Sequence, residues 1–310
     1  MKRLIIDTDP GVDDAMAILF ALQSPEIQLE ALTTVFGNGG VKQTTANALR
    51  VLELAQRPDI PVVPGATAPL LRPYRGQGYR VHGRDGLGDT NLPLPRIHAQ
   101  ARRAAEYLIS RIMDEPGQLT LVAVGPLTNL ALAVRLEADI AQNVQDVVIM
   151  GGAATVPGNA SPLAEANIHN DPEAAKIVFH AGWPLTMVGL DVTCKTIMTS
   201  AYLARLREAG TPRTDFISAI TPFYRRYYEE NLGLDGFHVH DSSAVAYVID
   251  PTLFESQNVY VDVDTESQRA SGQTMADWRG QWEQAPNVNV CLEVDSPRFL
   301  ELYLERISQR

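Results

Sequence analysis

Short apolar segments alternate with amphipathic helical segments along the first two-thirds of this 310-residue chain. The apolar segments suit strands that are buried on both faces, because their hydrophobic runs are short and nearly continuous. The predicted strands lie at residues 4–6, 27–35, 61–64, 119–124, 146–150 and 185–190. Predicted helices lie between them at residues 15–22, 44–55, 107–113, 127–134 and 174–179. The alternation predicts an α/β fold with an open, mostly parallel, Rossmann-like sheet and helices on both faces.

The last third of the chain follows a different pattern. Helical patterns cover residues 215–231 and 242–249, β-rich stretches surround residues 259–261 and 288–294, and a final helix is expected from Pro297 onward. We expect this helical C-terminal region to lie over the functional site. A glycine-rich stretch at residues 70–95 is predicted to be a mobile loop. No linker or repeat divides the chain, so residues 1–310 are predicted to form a single domain.

The charge balance argues against nucleic acid as a partner. Asp and Glu number 37 against 26 Lys and Arg, a formal net charge of −11, whereas phosphate binding normally needs a basic face. The first apolar stretch ends at Asp7, too early for a signal peptide, and no stretch is long enough for a membrane span. Cys194 and Cys291 cannot form a disulfide framework. We therefore expect a cytoplasmic protein that binds neither nucleic acid nor membranes.

Four carboxylates crowd the turn after the first predicted strand. Asp7, Asp9, Asp13 and Asp14 repel one another, and the turn contains no cation to offset them. Such crowding is tolerated where a hard cation such as Ca²⁺ or Mg²⁺ takes oxygen ligands. The alternative is helix capping combined with a solvated acidic turn. An EF-hand is excluded, because Ile18 stands where the bidentate Glu should be.

Polar or glycine-rich turns also follow three other predicted strands, and ligands of open α/β sheets bind at such strand ends. The turn at residues 36–40 includes Asn38. In residues 123–129, a glycine and a proline leave the Val124 carbonyl outside helical bonding and open to a metal. Residues 150–152 lead into Asn159, Glu165 and Asn167.

Two histidine-bearing segments lie outside the predicted strands. His82 belongs to the predicted mobile loop, and His240 and Asp241 precede an apolar helix, with Asp241 at its expected N-cap. A lone histidine is more often a satisfied polar residue than a catalyst. Tyr224 and Tyr228 are four residues apart and share a helix face, which suits either packing or function.

Taken together, these motifs resemble the inosine-uridine-preferring nucleoside hydrolases. The resemblance rests on residues 7–14, 37–38, 82–88, 124–129, 150–152, 159–167 and 240–241, which occur in the family's order. It covers nearly the whole chain. It implies an open α/β fold, a tightly bound Ca²⁺ and assembly into a homo-oligomer, either a dimer or a tetramer. The implied activity is calcium-dependent hydrolysis of the N-glycosidic bond of ribonucleosides, giving ribose and a free purine or pyrimidine base.

The resemblance also implies a role for each matching residue. The calcium ligands would be Asp9, Asp14, Asp241 and the Val124 carbonyl, and Asp9 would also be the general base toward the attacking water. The ribose diol would be bound by Asp13, Asn38 and Asn167, and its 5′ side by Asn159 and Glu165. The departing base would receive a proton or hydrogen bond from His240, with His82 closing the site, Tyr228 relaying a proton and Tyr224 approaching the base.

Two alternatives stay open. One is hydrolysis of another ribosyl compound, and the other is a calcium-dependent nucleoside-binding protein without turnover. Asp9 and His240 are both present, which favours an enzyme. Nucleotides are not expected as substrates, because no basic phosphate cradle accompanies Asn159 and because Glu165 would repel a 5′-phosphate.

Overall fold

An eight-stranded sheet forms the centre of the computed structural model, which describes residues 1–76 and 78–309. Its strand order is β3-β2-β1-β4-β5-β6-β12-β9. Every pair is parallel except β12 and β9, which run antiparallel at one edge. The strands in chain order are β1 (Lys2–Thr8), β2 (Ile27–Thr34), β3 (Val62–Pro64), β4 (Leu119–Ala123), β5 (Asp146–Met150), β6 (Leu185–Val188), β7 (Ile197–Met198), β8 (Phe237–His238), β9 (Phe254–Val259), β10 (Val261–Val263), β11 (Thr274–Ala276) and β12 (Val288–Val294).

Helices cover both faces of the sheet, because successive side chains of each buried strand point to opposite sides. In β1, Leu4 and Ile6 enter one hydrophobic core while Ile5 enters the other. The helices are α1 (Val12–Leu22), α2 (Val41–Leu54), α3 (Tyr79–His82), α4 (Ala104–Asp114), α5 (Thr128–Leu136), α6 (Ile140–Asn143), α7 (Ala166–Asn170), α8 (Pro172–Phe179), α9 (Leu190–Thr193), α10 (Ser200–Glu208), α11 (Pro212–Leu232), α12 (Asp241–Ile249) and α13 (Ser296–Ser308), with a 3₁₀ turn at Pro251–Leu253.

The α/β fold class and the mostly parallel sheet predicted from the sequence are confirmed. The predicted strand and helix centres fall inside observed elements, and the bounds differ by a few residues. The Gly-rich stretch at residues 70–95 contains the helical turn α3, which the sequence pattern did not predict. No helix in the described part of the chain is long and apolar enough to cross a membrane.

One capping prediction was wrong. Helix α12 begins at Asp241 and its N-cap is His240, so Asp241 is the first helical residue and makes no capping hydrogen bond. Its carboxylate instead lies beside those of Asp13 and Asp14. The helix dipole also favours a carboxylate in the first turn of a helix. An acidic residue at the N-cap and one at the first helical position therefore look alike in the sequence.

Candidate active site

The candidate site lies at the carboxyl ends of β1 and β4, where the strand order reverses. Strands β1 and β4 are neighbours, while β2 and β3 follow on one side and β5 and β6 on the other. In open α/β sheets, ligands bind in the crevice at this switch point. Asp9 directly follows β1 and Val124 directly follows β4. The topology therefore brings together two motifs that are far apart in the chain.

Asp14 organises the turn between β1 and α1. Its Oδ1 accepts hydrogen bonds from Thr8 Oγ1 at 2.6 Å and from the Asp9 backbone N–H at 3.1 Å. Its Oδ2 accepts from the Gly11 backbone N–H at 2.9 Å and from Asn38 Nδ2 at 3.0 Å. The capping interpretation is thus confirmed for Asp14, which closes the first turn of α1. Capping does not account for the other carboxylates around it.

Asp13, Asp14 and Asp241 form an acidic cluster, in which one carboxylate oxygen from each lies within 4.8 Å of the others. Asp14 and Asp241 are buried and Asp13 is half-buried, and burial raises the pKa of each carboxyl, that of Asp13 to about 6. Repulsion from neighbouring aspartates raises the pKa of Asp14 and Asp241 further. A divalent cation would remove this repulsion, and oxygen donors are the ligands that Ca²⁺ and Mg²⁺ prefer. The cluster can therefore hold a metal ion.

The carboxylate of Asp9 lies between two glycines. Its Oδ2 accepts the Asn38 backbone N–H at 2.6 Å, whereas its Oδ1 is buried and has no hydrogen-bond partner in the described part of the chain. A Cβ atom on Gly37 would lie 2.0 Å from Oδ2, and one on Gly125 would lie 2.5 Å from Oδ1. Only glycine fits at both positions. Burial, followed by the charge of Asp14, raises the pKa of Asp9 well above its usual range.

The Val124 carbonyl is not free of hydrogen bonds. It accepts Asn167 Nδ2 at 2.9 Å, and the same amide group donates to the Met150 carbonyl at 3.0 Å. Asn167 thus ties the ends of β4 and β5 together from helix α7. A carbonyl oxygen has two lone pairs, so Val124 keeps one acceptor position.

Glu165 and Asn159 cap helix α7. Glu165 is buried and accepts the backbone N–H groups of Asn167 at 2.9 Å, Ile168 at 3.2 Å and Gly152 at 3.1 Å. Burial nevertheless raises its pKa to about 7. Asn159 is exposed, and its Oδ1 accepts the Ala166 N–H at 2.9 Å. Both residues organise the loop that follows β5.

The raised pKa of Glu165 predicts a pH dependence of stability. The folded state favours protonated Glu165, so its contribution is fully present below the unfolded value of 4.5 and is lost as pH rises through about 7. Between about pH 5 and pH 8, the free energy of unfolding should fall by roughly 2–3 kcal/mol more for the unmodified chain than for Glu165→Gln. Urea unfolding at both pH values measures the difference. If the free energy of unfolding fell equally with pH in the two proteins, the result would contradict the raised pKa of Glu165.

His82 is delivered to the aspartates by helix α3. Its Nδ1 accepts the Val12 backbone N–H at 3.1 Å and lies 3.7 Å from Asp13 Oδ1. Because Nδ1 is an acceptor, the ring is neutral and carries its proton on Nε2. Burial lowers the pKa of His82 to about 4, which agrees with a neutral ring. The ring packs against Tyr224 with centroids 5.2 Å apart.

His240 and the two tyrosines of α11 form a continuous hydrogen-bonded chain to the acidic cluster. His240 Nε2 lies 2.8 Å from the Tyr228 hydroxyl, which lies 3.3 Å from the Tyr224 hydroxyl. The Tyr224 hydroxyl donates to Asp13 Oδ2 at 3.1 Å. All these side chains are buried except that of Asp13, which is half-buried. The structure thus brings His240 and Tyr228 together, in line with the relay proposed from the sequence.

Three residues that contribute contacts at the candidate site were not identified from the sequence. Thr193 contacts Nδ1 of His240, and Asp191 accepts the backbone N–H groups of Ala154 and Thr155 after β5. Tyr74 donates from its hydroxyl to the Gly37 carbonyl at 2.9 Å and anchors residues 70–76 beside Asp9. Asp191 and Thr193 both follow strand β6. Their position as polar residues after a predicted strand could have identified them from the sequence.

Comparisons with known proteins agree with this geometry. Residues 4–301 match the family model described as inosine-uridine preferring nucleoside hydrolase. An inosine-uridine preferring nucleoside hydrolase from Leishmania major is 41% identical, over 99% of this chain and 98% of its own. Uridine nucleosidase 1 from Arabidopsis thaliana is 39% identical, over 97% of this chain and 91% of its own.

A solved structure gives the same result. The structure described as plant nucleoside hydrolase, PpNRh1 enzyme, superposes with a TM-score of 0.96 at 38% identity. The match covers 100% of this chain and 99% of that one. The family model, the curated relatives and the fold therefore agree, and the chain belongs to the inosine-uridine preferring nucleoside hydrolase family, whose members are N-glycosyl hydrolases.

Proposed function

We propose that this chain hydrolyses the N-glycosidic bond of ribonucleosides in a calcium-dependent reaction and releases ribose and a free purine or pyrimidine base. One observation carries the proposal: the carboxylates of Asp13, Asp14 and Asp241 converge at the switch point of the sheet. The buried Oδ1 of Asp9, which has no hydrogen-bond partner among the described residues, adjoins the same turn. Relatives named for inosine and for uridine support both classes of base.

The donor set fits a calcium ion. Carboxylate and carbonyl oxygens are hard ligands, and the buried Oδ1 of Asp9 has no hydrogen-bond partner within the described residues. Asp9, Asp14, Asp241 and the Val124 carbonyl would hold the ion, in agreement with the family resemblance. Asp13 lies within the same cluster and would face the ribose hydroxyls. When bound, Ca²⁺ supplies a Lewis acid that acidifies the attacking water and orients the ribose diol.

Asp9 is the proposed general base. Burial and the charge of Asp14 raise the pKa of Asp9 in the metal-free protein, and a bound cation would keep the carboxylate ionised so that it can accept the proton of the attacking water. The glycines at 37 and 125 leave room for the group and the Asn38 N–H orients its Oδ2, which reduces the cost of orienting it during the reaction. The surrounding carboxylates stabilise the positive charge that develops on the sugar when the glycosidic bond breaks.

The proposed leaving-group contacts come from His240 and Tyr228. Burial lowers the pKa of His240 to about 3, so its ring is neutral near pH 7. To stabilise the departing base by hydrogen bonding, its Nε2–H would exchange the Tyr228 hydroxyl for the base. His82, also neutral, would close the site from α3, and Tyr224 would approach the base. Asn38, Asn167, Asn159 and Glu165 are the remaining proposed contacts to the ribose.

Ribose release and thermal unfolding after chelation test the proposal together. The purified protein should release ribose from inosine and uridine, and removal of calcium with EGTA should abolish this activity. Chelation should also lower the Tm by about 5 °C, since a ligand at 100 times its Kd stabilises the fold by about 2.7 kcal/mol. Added Ca²⁺ should restore both activity and Tm.

The outcomes separate the alternatives. Calcium-dependent stabilisation without ribose release would favour a nucleoside-binding protein, and release from other ribosyl compounds alone would change the substrate. If chelation changed neither the Tm nor the activity, the result would contradict the metal site. From the sequence pattern we also propose a single domain and a cytoplasmic location, and from the resemblance a dimer or tetramer, the last measurable by light scattering.

A further inference from the structure

Thr193 has a buried hydroxyl group that the proposed mechanism does not use. It ends helix α9, its side chain is 0% exposed, and its Oγ1 lies 2.8 Å from Nδ1 of His240. The opposite ring nitrogen, Nε2, lies 2.8 Å from the Tyr228 hydroxyl. The imidazole of His240 is therefore held at both nitrogens, by two elements that are distant in the sequence.

The direction of these hydrogen bonds follows from the carboxylate at the far end. Tyr224 donates its single hydroxyl proton to Asp13 and therefore accepts from Tyr228. Tyr228 in turn accepts at its oxygen from the Nε2–H of His240. A neutral imidazole carries one N–H, so its Nδ1 accepts and Thr193 is the donor. All four hydrogen bonds point toward Asp13.

We propose that Thr193 is a positioning residue for the departure of the nucleobase, because its hydroxyl holds Nδ1 of His240 and so orients the ring with Nε2 toward the Tyr228 hydroxyl. This inference rests on the proposed function and deepens its leaving-group step. A partner on the second nitrogen of a functional histidine fixes the orientation of the ring in this way.

Thr196, three residues further along the chain, offers a matched control. It is also 0% exposed, and its Oγ1 lies 2.9 Å from Ser296 Oγ, away from His240. Thr193→Val and Thr196→Val each remove one buried hydroxyl and keep the side-chain shape. Thr193→Ser keeps the hydroxyl, and Thr193→Ala provides a second variant without it.

The experiment compares natural nucleosides with 4-nitrophenyl riboside, whose leaving group needs no stabilisation. Thr193→Val should lower kcat for inosine and uridine about 10- to 100-fold, as is usual for groups that orient a functional histidine. Its kcat for 4-nitrophenyl riboside and its KM values should stay near those of the unmodified protein. Thr193→Ser should recover most of the lost activity, and Thr196→Val should show no such dependence on the substrate.

Each other outcome overturns the inference. Equal losses on both types of substrate would make Thr193 a packing residue, and so would failure of both Thr193→Val and Thr193→Ala to fold. If the unmodified protein released no ribose, the proposed function would fail instead. The ¹⁵N shift of His240 Nδ1 would then still test Thr193: it should change in Thr193→Val and be retained in Thr193→Ser, and an unchanged shift in Thr193→Val would overturn the inference.

Discussion

Replacing Asp9 with Asn should reduce ribose release from inosine and uridine by at least about 10³-fold, because an amide cannot take the proton of the attacking water. The same change removes a proposed calcium ligand, and both effects act on turnover. The fold should survive. Burial and then the charge of Asp14 raise the pKa of Asp9, so a neutral amide at this position avoids the cost of a buried charge in the metal-free protein. Steady-state kinetics and thermal unfolding after chelation measure the two expectations.

Asp171→Asn is the matched control for this prediction. Asp171 is also fully buried and accepts Thr128 Oγ1 at 2.6 Å and the Leu70 N–H at 2.9 Å, but it caps α8 instead of facing the acidic cluster. We expect this control to lower stability while the folded protein keeps most of its turnover. Near-normal turnover in Asp9→Asn would refute the role of Asp9 as the base.

The sheet and the location of the site could be predicted because both depend on local patterns. Short apolar runs identify the strands, and in a parallel sheet the carboxyl ends of the strands share one edge. Asp9 and Val124 therefore had to lie near each other once β1 and β4 were neighbours. The resemblance to a family added the roles of the residues, which the strand pattern alone does not contain.

What the sequence did not predict depends on contacts between distant segments. Thr193 and His240 are joined only by the fold, since their helices are separated by α10, α11 and two short strands. The hydrogen bond from Asn167 to the Val124 carbonyl likewise joins β4 to α7. His82 looked like part of a mobile loop, because its acceptor role toward the Val12 N–H cannot be inferred from a glycine-rich stretch.

Replacing His240 with Ala should reduce kcat/KM for inosine and uridine by about 10²- to 10⁴-fold, the range typical of a lost acid–base or hydrogen-bonding group at a leaving atom. The loss on 4-nitrophenyl riboside should be less than about tenfold, because nitrophenolate leaves without help. The expected selectivity follows from the proposed leaving-group role of His240, whose Nε2 lies 2.8 Å from the Tyr228 hydroxyl. Kinetics on the three substrates provide the measurement.

Two further variants separate leaving-group stabilisation from general damage. His169→Ala removes a histidine whose Nδ1 lies 3.2 Å from the Ser271 carbonyl, and it should affect the three substrates equally. Tyr228→Phe leaves Thr193 at Nδ1 of His240 but removes the hydroxyl between His240 and Tyr224. If the hydroxyl mediates the contact with the base, Tyr228→Phe should reproduce the substrate selectivity of His240→Ala. If His240 contacts the base directly, only His240→Ala should show that selectivity. Equal losses on all substrates in His240→Ala would exclude a leaving-group role for this histidine.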